Sequence, residues 1–535
     1  MTSRKAMEPV IPHSTEKQQT YQQAGLWEQV PLWQLLWSHS ANTLNQIAVR
    51  DDIKSMTYRE LINEADQIAQ GLISQGWAAG DRVVMQLSNR CEFAATLFGF
   101  LRAGLIPVMA LPAHGLAEIE HFMRTCNAQG YVGEGKIGKK IVNNLKKQGD
   151  LKLYLIDQCT PTCALPHSEA NGFAPADVDP AETALFLVSG GTTGLPKLIP
   201  RTHNDYLYNI RCCCRASEVA ETEVYLAVLP AAHNFTLGCP GFLGTLSVGG
   251  EVIFTQLASP DHCFELIEQY SVTATALVPA LAQLWTEAVQ WEEANLTSLK
   301  RIQVGGSKLA YSDAIAMQHV FPGVLQQVFG MAEGLIACTR LNDTPEVVAS
   351  MQGKPVSEWD EVRIVDSDGK DVELGEEGEL LTRGPYTLRG YYRAAEHNAR
   401  SFTEDGFYCS GDKVRMNDQQ YLSVTGRIKD VVNRAGECIA ADEIEEQLLA
   451  HPDIAQVAVV AVPDPHLGER IGVAAIGRDT SLTLQDLRQF LLEQNLATFK
   501  MPDELLWVST LPKTAVGKVD KKAIVGPSGT PWHLG

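Results

Sequence analysis

The sequence predicts an α/β protein. It has a large N-terminal domain of βαβ-type sheets with a small β-barrel-like subdomain, followed by a small mobile α+β C-terminal domain. Three observations predict this. From Trp27 to the segment KRIQVGG, short β-branched runs alternate with helical stretches, the pattern of βαβ units in a parallel sheet. After about residue 360 the texture changes to short polar-alternating strands with Asp-Gly and Gly-Asp turns. From GRIKDVVNRAGECI (426–439) onward comes a last unit of helices, strands and a Gly-Lys tail.

The elements follow in order. Residues 1–25 read as a loose or partly helical leader. DRVVMQLSN (81–89) and IPVMALP (106–112) read as buried strands around the helix EFAATLFGFLRAG (92–104). TALFLVSGG, VYLAVLP, EVIFTQL, ATALVPA and KRIQVGG read as further strands, most ending at Gly or Pro. Strands of this kind bury both faces, and ligands gather at their carboxyl ends. EVRIVD, GELLTR and YLSVTGR form the small antiparallel unit. The last unit holds the helices ADEIEEQLLAHP and TLQDLRQFLLEQ and the strands AQVAVVAVPD and GVAAIGR. The expected boundary divides 1–428 from 429–535, with a linker at 427–430.

Composition narrows the function classes. The chain has 535 residues, 45% apolar and 20% charged, which is ordinary for a folded globular protein. Its formal charge is −20, which disfavours nucleic acid or an anionic membrane as the main partner. No apolar run reaches the roughly 18 residues of a membrane span. The opening MTSRKAMEPVIPHSTEKQQ lacks an apolar signal core, so a cytoplasmic protein is expected. The 12 cysteines are scattered, apart from Cys212, Cys213 and Cys214 in a row and the pair Cys159 and Cys163. None of this matches spaced zinc ligands, and reduced thiols are expected.

One loop carries chemistry on its own terms. Ser189, Gly190, Gly191, Thr192, Thr193, Gly194, Leu195, Pro196 and Lys197 follow the apolar strand ALFLV. The glycines let main-chain N–H groups approach an anion, the hydroxyls add donors and Lys197 adds charge. That makes a phosphate cradle. It is not the ordinary P-loop, because Lys197 follows Pro196 and precedes Leu198.

SGGTTGLPK resembles the signature loop of the adenylate-forming (acyl/aryl–AMP ligase) superfamily. Further matches follow in the family's order: FGMAEG (329–334), GELLTRGPYTLRGYY (378–392), GFYCSGD (406–412), GRIKDVVNRAGE (426–437) and TAVGKVDKK (514–522). The resemblance covers almost the whole chain. Within the superfamily, RTHNDY (201–206), LPAAHNF (229–235) and QVFGMAEGL (327–335) resemble the aryl-acid ligases of siderophore biosynthesis. The resemblance implies ATP and Mg²⁺ as cofactors and an aryl adenylate as product. It also implies an aryl carrier protein, loaded on its phosphopantetheine thiol. No serine-bearing carrier motif follows Lys522, so the carrier is expected to act in trans.

The resemblance also implies roles residue by residue. Lys518 bridges the carboxylate and the phosphate oxygens, where an ammonium offsets repulsion between two anions. Glu333 is the magnesium-associated acid. Gly306, Val328 and Ala332 lie at the adenine, Asp412 and Arg427 at the ribose or phosphate. Lys429 is the hinge at the nucleotide site, and Gly436 faces the thiol channel. His233 lies near the carboxylate and phosphates. Asn234 supplies polar atoms suited to a phenolic hydroxyl beside a carboxylate, and Phe235 an aromatic wall.

Two positions bear on the ring. Catechol-acid members tend to carry Ser at Cys239 and Val at Ile336. Salicylate members tend to carry Cys and a larger aliphatic. Cys bonds hydroxyls less well than Ser, and Ile narrows the wall. Salicylate is therefore expected, with 2,3-dihydroxybenzoate as the alternative and an aryl-CoA ligase as a further one. Ile336 stands where the salicylate pattern has Leu.

Overall fold

A computed structural model of the chain describes residues 10–149, 151–156, 165–170, 172–189, 196–309, 311–366, 368–428, 431–477, 481–512 and 521–525. Lys518, Lys429, Gly190 to Leu195, Cys159 and Cys163 lie outside these residues. The ten cysteines within them are free thiols. No helix among the described residues is long and apolar enough to cross a membrane.

The described strands form four sheets. One has six strands, centred on Arg82–Met85 and Ile106–Met109. These two pair in parallel, Arg82 against Ile106 through Met85 against Met109, around the helix Cys91–Arg102. Every residue of that helix is buried, so it has no polar face to offer water. Its Phe93 meets Phe242 edge to face, with ring centroids 5.8 Å apart. A nine-stranded sheet contains Val224–Ala227, Glu251–Phe254, Ala274–Leu277 and Arg301–Val304 in parallel register. A four-stranded antiparallel sheet follows the order Glu361–Val365, Gly378–Arg383, Tyr408–Met416, Leu422–Arg427. The last sheet is built from residues after 430, and the helices Ala441–Leu449 and Leu484–Glu493 belong to the same unit.

Four described strand pairs in the two large sheets depart from the parallel expectation, and two of them border the cleft. Leu198–Thr202 runs antiparallel to Thr183–Val188, with Val188 opposite Leu198. Ile336–Cys338 runs antiparallel to Leu325–Gly330, with Gly330 opposite Ile336. The reason is chain length. A parallel return needs a crossover of about a dozen residues or more, whereas a hairpin needs only a few. Too few residues separate Val188 from Leu198, and Gly330 from Ile336, for a crossover, so each strand pair closes antiparallel.

Of the two readings of the leader, the partly helical one holds over its described residues. Thr15–Gln23 is a helix capped by Ser14. Tyr21 and Trp27 are buried, their rings 5.2 Å apart, and Trp27 Nε1 donates to the Pro385 carbonyl at 3.3 Å. Lys17 Nζ reaches Glu361 at 3.0 Å. The leader thus clasps the four-stranded sheet.

The last unit docks on the first through one buried lysine. Lys500 Nζ lies 3.0 Å from Glu118 Oε1 and 2.8 Å from Glu443 Oε1. Burial disfavours the Lys500 ammonium, but Glu443 and then Glu118 outweigh it and hold its pKa above the usual range. A Cβ on Gly115 would stand 2.3 Å from the Asn495 carbonyl oxygen, so the two backbones meet there without a side chain between them. Replacing Lys500 by Met strands two buried carboxylates. Lys500→Met is expected to cost roughly 3 kcal/mol or more of stability, read as a lower urea midpoint.

Two imidazoles are buried as neutral acceptors. His114 Nδ1 accepts from the Leu111 N–H and His203 Nδ1 from the Leu32 N–H, each at 3.0 Å. Burial lowers both from 6.5 to about 4. The unfolded chain therefore takes up these protons first as the pH falls. The stability they contribute is complete above about 6.5 and is lost on the way down to about 4, up to roughly 3 kcal/mol each. Urea unfolding should show a weaker protein at pH 5 than at pH 7. His203→Asn, which keeps an acceptor near the Nδ1 position, should reduce that difference.

Candidate active site

One cleft gathers most of the residues singled out from the sequence. Ser189, Lys197, His233, Asn234, Phe235, Cys239, Gly306, Val328, Ala332, Glu333, Ile336, Asp412 and Gly436 all line it. They come from the six-, nine- and four-stranded sheets, the loops between them and the last unit.

The two described ends of the Gly-rich segment are tied together. The Ser189 N–H donates to the Lys197 carbonyl at 2.9 Å, and the Lys197 N–H donates to Ser189 Oγ at 2.9 Å. The ends are therefore fixed by the hairpin register. Lys197 Nζ lies 5.9 Å from the centroid of the Tyr391 ring.

His233 caps the short helix Asn234–Gly238, accepting from the Phe235 N–H at 3.3 Å. That helix presents Asn234 and Phe235 to the cleft, with Cys239 just beyond it. Ile336 begins the returning strand of the second hairpin and donates its N–H to the Tyr386 hydroxyl at 3.3 Å.

Glu333 sits in the loop of that hairpin. Tyr391 Oη donates to Glu333 Oε1 at 2.7 Å and shares a hydrogen bond with Tyr408 Oη at 2.8 Å. The Glu333 carbonyl accepts from the Leu388 N–H at 2.8 Å, and the Ala332 carbonyl from Arg201 Nη1 at 3.2 Å. Asp412 is buried and its N–H donates to Ser410 Oγ at 3.0 Å. Arg427 is its register partner on the neighbouring strand.

Two glycines bring the last unit against this cleft. Ala435 and Gly436 both have positive φ, 52° and 90°, as a tight hairpin turn between Val431–Arg434 and Glu437–Ala440 requires. A Cβ on Gly436 would stand 2.8 Å from Val278 Cγ1. One on Gly306, whose φ is 87°, would stand 3.5 Å from the Gly436 Cα. The hairpin tip therefore fits against the turn after Arg301–Val304 because Gly436 lacks a side chain, while at Gly306 the positive φ rather than space favours glycine.

Sequence reasoning missed several lining residues: His114, Tyr391, Tyr408, Glu437, Cys438, Phe499 and Lys500. Tyr391 and Tyr408 lie inside quoted motifs, RGYY and GFYCSGD, and their hydroxyl chain to Glu333 could have been asked for there. His114, Phe499 and Lys500 come together only through docking of the last unit. Among the described residues no group of three His, Cys, Asp or Glu could hold a metal ion.

Comparison with known proteins gives the context. The profile of the AMP-binding enzyme family matches residues 36–392, and that of the AMP-binding enzyme C-terminal domain matches 443–518. A salicyl-AMP ligase/salicyl-S-ArCP synthetase of Mycobacterium tuberculosis is 44% identical, covering 97% of this chain and 94% of its own. A vibriobactin-specific 2,3-dihydroxybenzoate-AMP ligase of Vibrio cholerae is 42% identical, covering 94% and 95%. The apo structure of MbtA from Mycobacterium smegmatis superposes with a TM-score of 0.72 at 45% identity, covering 96% of this chain and 98% of that one. With matches spanning both the large and the small part, this chain belongs to the AMP-binding enzyme family.

Proposed function

We propose that the protein is an aryl-acid–AMP ligase of siderophore biosynthesis that activates salicylate and passes the acyl group to the phosphopantetheine thiol of an aryl carrier protein. The observation that carries this reading is the shared cleft. The apolar pocket of Phe235, Cys239 and Ile336 opens beside the phosphate-loop ends Ser189 and Lys197, and Asp412 lines the same space. A flat acid and a nucleotide then meet in one cavity. The relatives named for salicylate and for 2,3-dihydroxybenzoate support aryl-acid activation about equally. The choice between the two rings rests on Cys239 and Ile336.

In the first step a carboxylate oxygen attacks the α-phosphorus, the bond to the bridging oxygen of pyrophosphate breaks, and pyrophosphate leaves. No base is needed, because the nucleophile is already ionised. The chain's task is to hold two anions in line and offset their repulsion. The phosphate loop and Lys197 serve the phosphates, His233 the junction of carboxylate and phosphate. Gly306, Val328 and Ala332 serve the adenine, and Asp412 with Arg427 the ribose and its phosphate. Lys518 supplies the bridging cation, carried by the unit 429–535, which turns about Lys429. Mg²⁺, when bound, neutralises phosphate charge. The single Glu333 carboxylate, held by Tyr391, fits a cation shared with phosphates and water rather than a dedicated protein cage. In the second step the thiol sulfur attacks the acyl carbon and AMP leaves, the thiol arriving past Gly436. A cytoplasmic setting suits a carrier acting in trans.

The test is acid-dependent ATP–pyrophosphate exchange with salicylate, 2,3-dihydroxybenzoate and benzoate side by side. Salicylate should give the highest kcat/KM, and a preference for the catechol acid would refute the reading of Cys239 and Ile336. Cys239→Ser should raise the ratio of catechol acid to salicylate by roughly tenfold. Lys518→Ala should lower exchange by about 100- to 1000-fold while nucleotide binding persists. Loading assays with free CoA and with an aryl carrier protein identify the acceptor. Faster transfer to CoA would favour an aryl-CoA ligase.

A further inference from the structure

The helix His203–Ala216 backs the acid pocket, and one of its faces has no role in the chemistry above. Tyr206, Asn209 and Cys213 stand at i, i+3 and i+7 and so share that face. The first two are hydrogen-bonded to the segment Asn234 to Cys239, and the third lies beside it. Tyr206 Oη donates to Asn234 Oδ1 at 2.9 Å. Asn209 Nδ2 donates to the Gly238 carbonyl at 2.7 Å. Cys213 neighbours Cys239, and that thiol together with burial raises the Cys213 pKa well above the usual thiol range. This accounts for the middle member of the cysteine run. Its neighbour Cys212 instead accepts from Arg215 Nη2 at 3.1 Å.

The amide of Asn234 is therefore oriented. Tyr206 is fully enclosed, and burial keeps its hydroxyl protonated. A hydroxyl proton seeks an acceptor, so it draws the amide oxygen toward the helix. Asn234 Nδ2 is left on the other side, donating to Cys239 Sγ at 3.4 Å. An amide nitrogen carries two protons, and Cys239 takes one. The other is available to the cleft that Asn234 lines. Gly238 makes room for this arrangement, since a Cβ there would stand 2.8 Å from Tyr206 Oη.

An N–H donor at this place suits one feature of an ortho-hydroxybenzoate. Its phenolic proton bonds to its own carboxylate, which leaves the phenolic oxygen as an acceptor. Benzoate has no such oxygen and would leave the Asn234 N–H unpaired in a buried site. A pocket built to bond a hydroxyl rejects the analogue that lacks it.

We propose that Tyr206 is a positioning residue that sets the orientation of the Asn234 amide and thereby the preference for an acid with an ortho-hydroxyl group. The proposal rests on aryl-acid activation in this cleft. The experiment is pyrophosphate exchange by Tyr206→Phe with 2-hydroxybenzoate and with benzoate. The hydroxybenzoate-to-benzoate ratio of kcat/KM should fall about five- to tenfold. The fall should appear mainly in KM for the acid, with KM for ATP unchanged. In an Asn234→Ala background the same change should leave the ratio where Asn234→Ala put it. A purely structural role would lower activity with both acids alike and add to Asn234→Ala. A ratio unmoved in a Tyr206→Phe protein that melts like its parent overturns the proposal. Should that variant fail to fold, Gly238→Ala displaces the same hydroxyl and is held to the same ratio, with the same outcome decisive. A parent enzyme active with neither acid would remove the aryl-acid reading and this inference with it. An active parent with an unmoved ratio removes the inference alone.

Discussion

The contact on which the cleft's closure depends is Lys500 between Glu118 and Glu443. Its nitrogen is within 3.0 Å of a carboxylate on each side of the junction. Charges this deeply buried are unfavourable unless paired, so the arrangement selects one seating of the last unit strongly. That seating brings Gly436 against Gly306 and adds Glu437 and Cys438 to the cleft wall. Without it the hairpin tip would keep only its backbone packing against the nine-stranded sheet. The cleft would then be open on that side.

Electrostatics inside the cleft runs against the sign of the whole chain. A formal charge of −20 repels a nucleotide and an aryl carboxylate alike. Attraction must be local, and in the proposed reading two features would supply it: Lys197 at the loop base, and the amide and hydroxyl donors of the strand ends. Several of the polar atoms are held by other protein groups. Tyr391 engages Glu333, Ser410 accepts from the Asp412 N–H, and Phe235 donates its N–H to His233. Donors and acceptors fixed before substrate arrives need little reorganisation during reaction.

Much of this was legible in the sequence for a physical reason. Strands buried on both faces are written as largely apolar runs, and Thr183–Val188 and Val224–Ala227 lie where TALFLV and VYLA stand, whereas Arg301–Val304 also buries Arg301 and Gln303. Site residues at strand ends are local neighbours of those runs, so Ser189, His233 and Gly306 could be picked out along with them. Strand direction was less legible. A hairpin and a crossover begin alike, and only the short count of residues in 331–335 marks Ile336–Cys338 as a return. Long-range pairing was not legible at all. Nothing near Lys500 announces Glu118, which lies 382 residues earlier in the chain. Tyr206 was quoted within RTHNDY without a function, because its partner Asn234 is reached across space rather than along the helix.

The leader has a bearing on movement at the other end of the chain. Thr15–Gln23, with Trp27 and Lys17, fastens to the four-stranded sheet through Pro385 and Glu361. That sheet ends at Arg427, where the proposed pivot begins. An arm that turns about a few residues transmits its torque to whatever those residues are rooted in. A socket stitched to the first stretch of the polypeptide resists twisting better than a free edge would. On the proposed pivot, the opening residues would therefore stiffen the mount on which the closing ones turn.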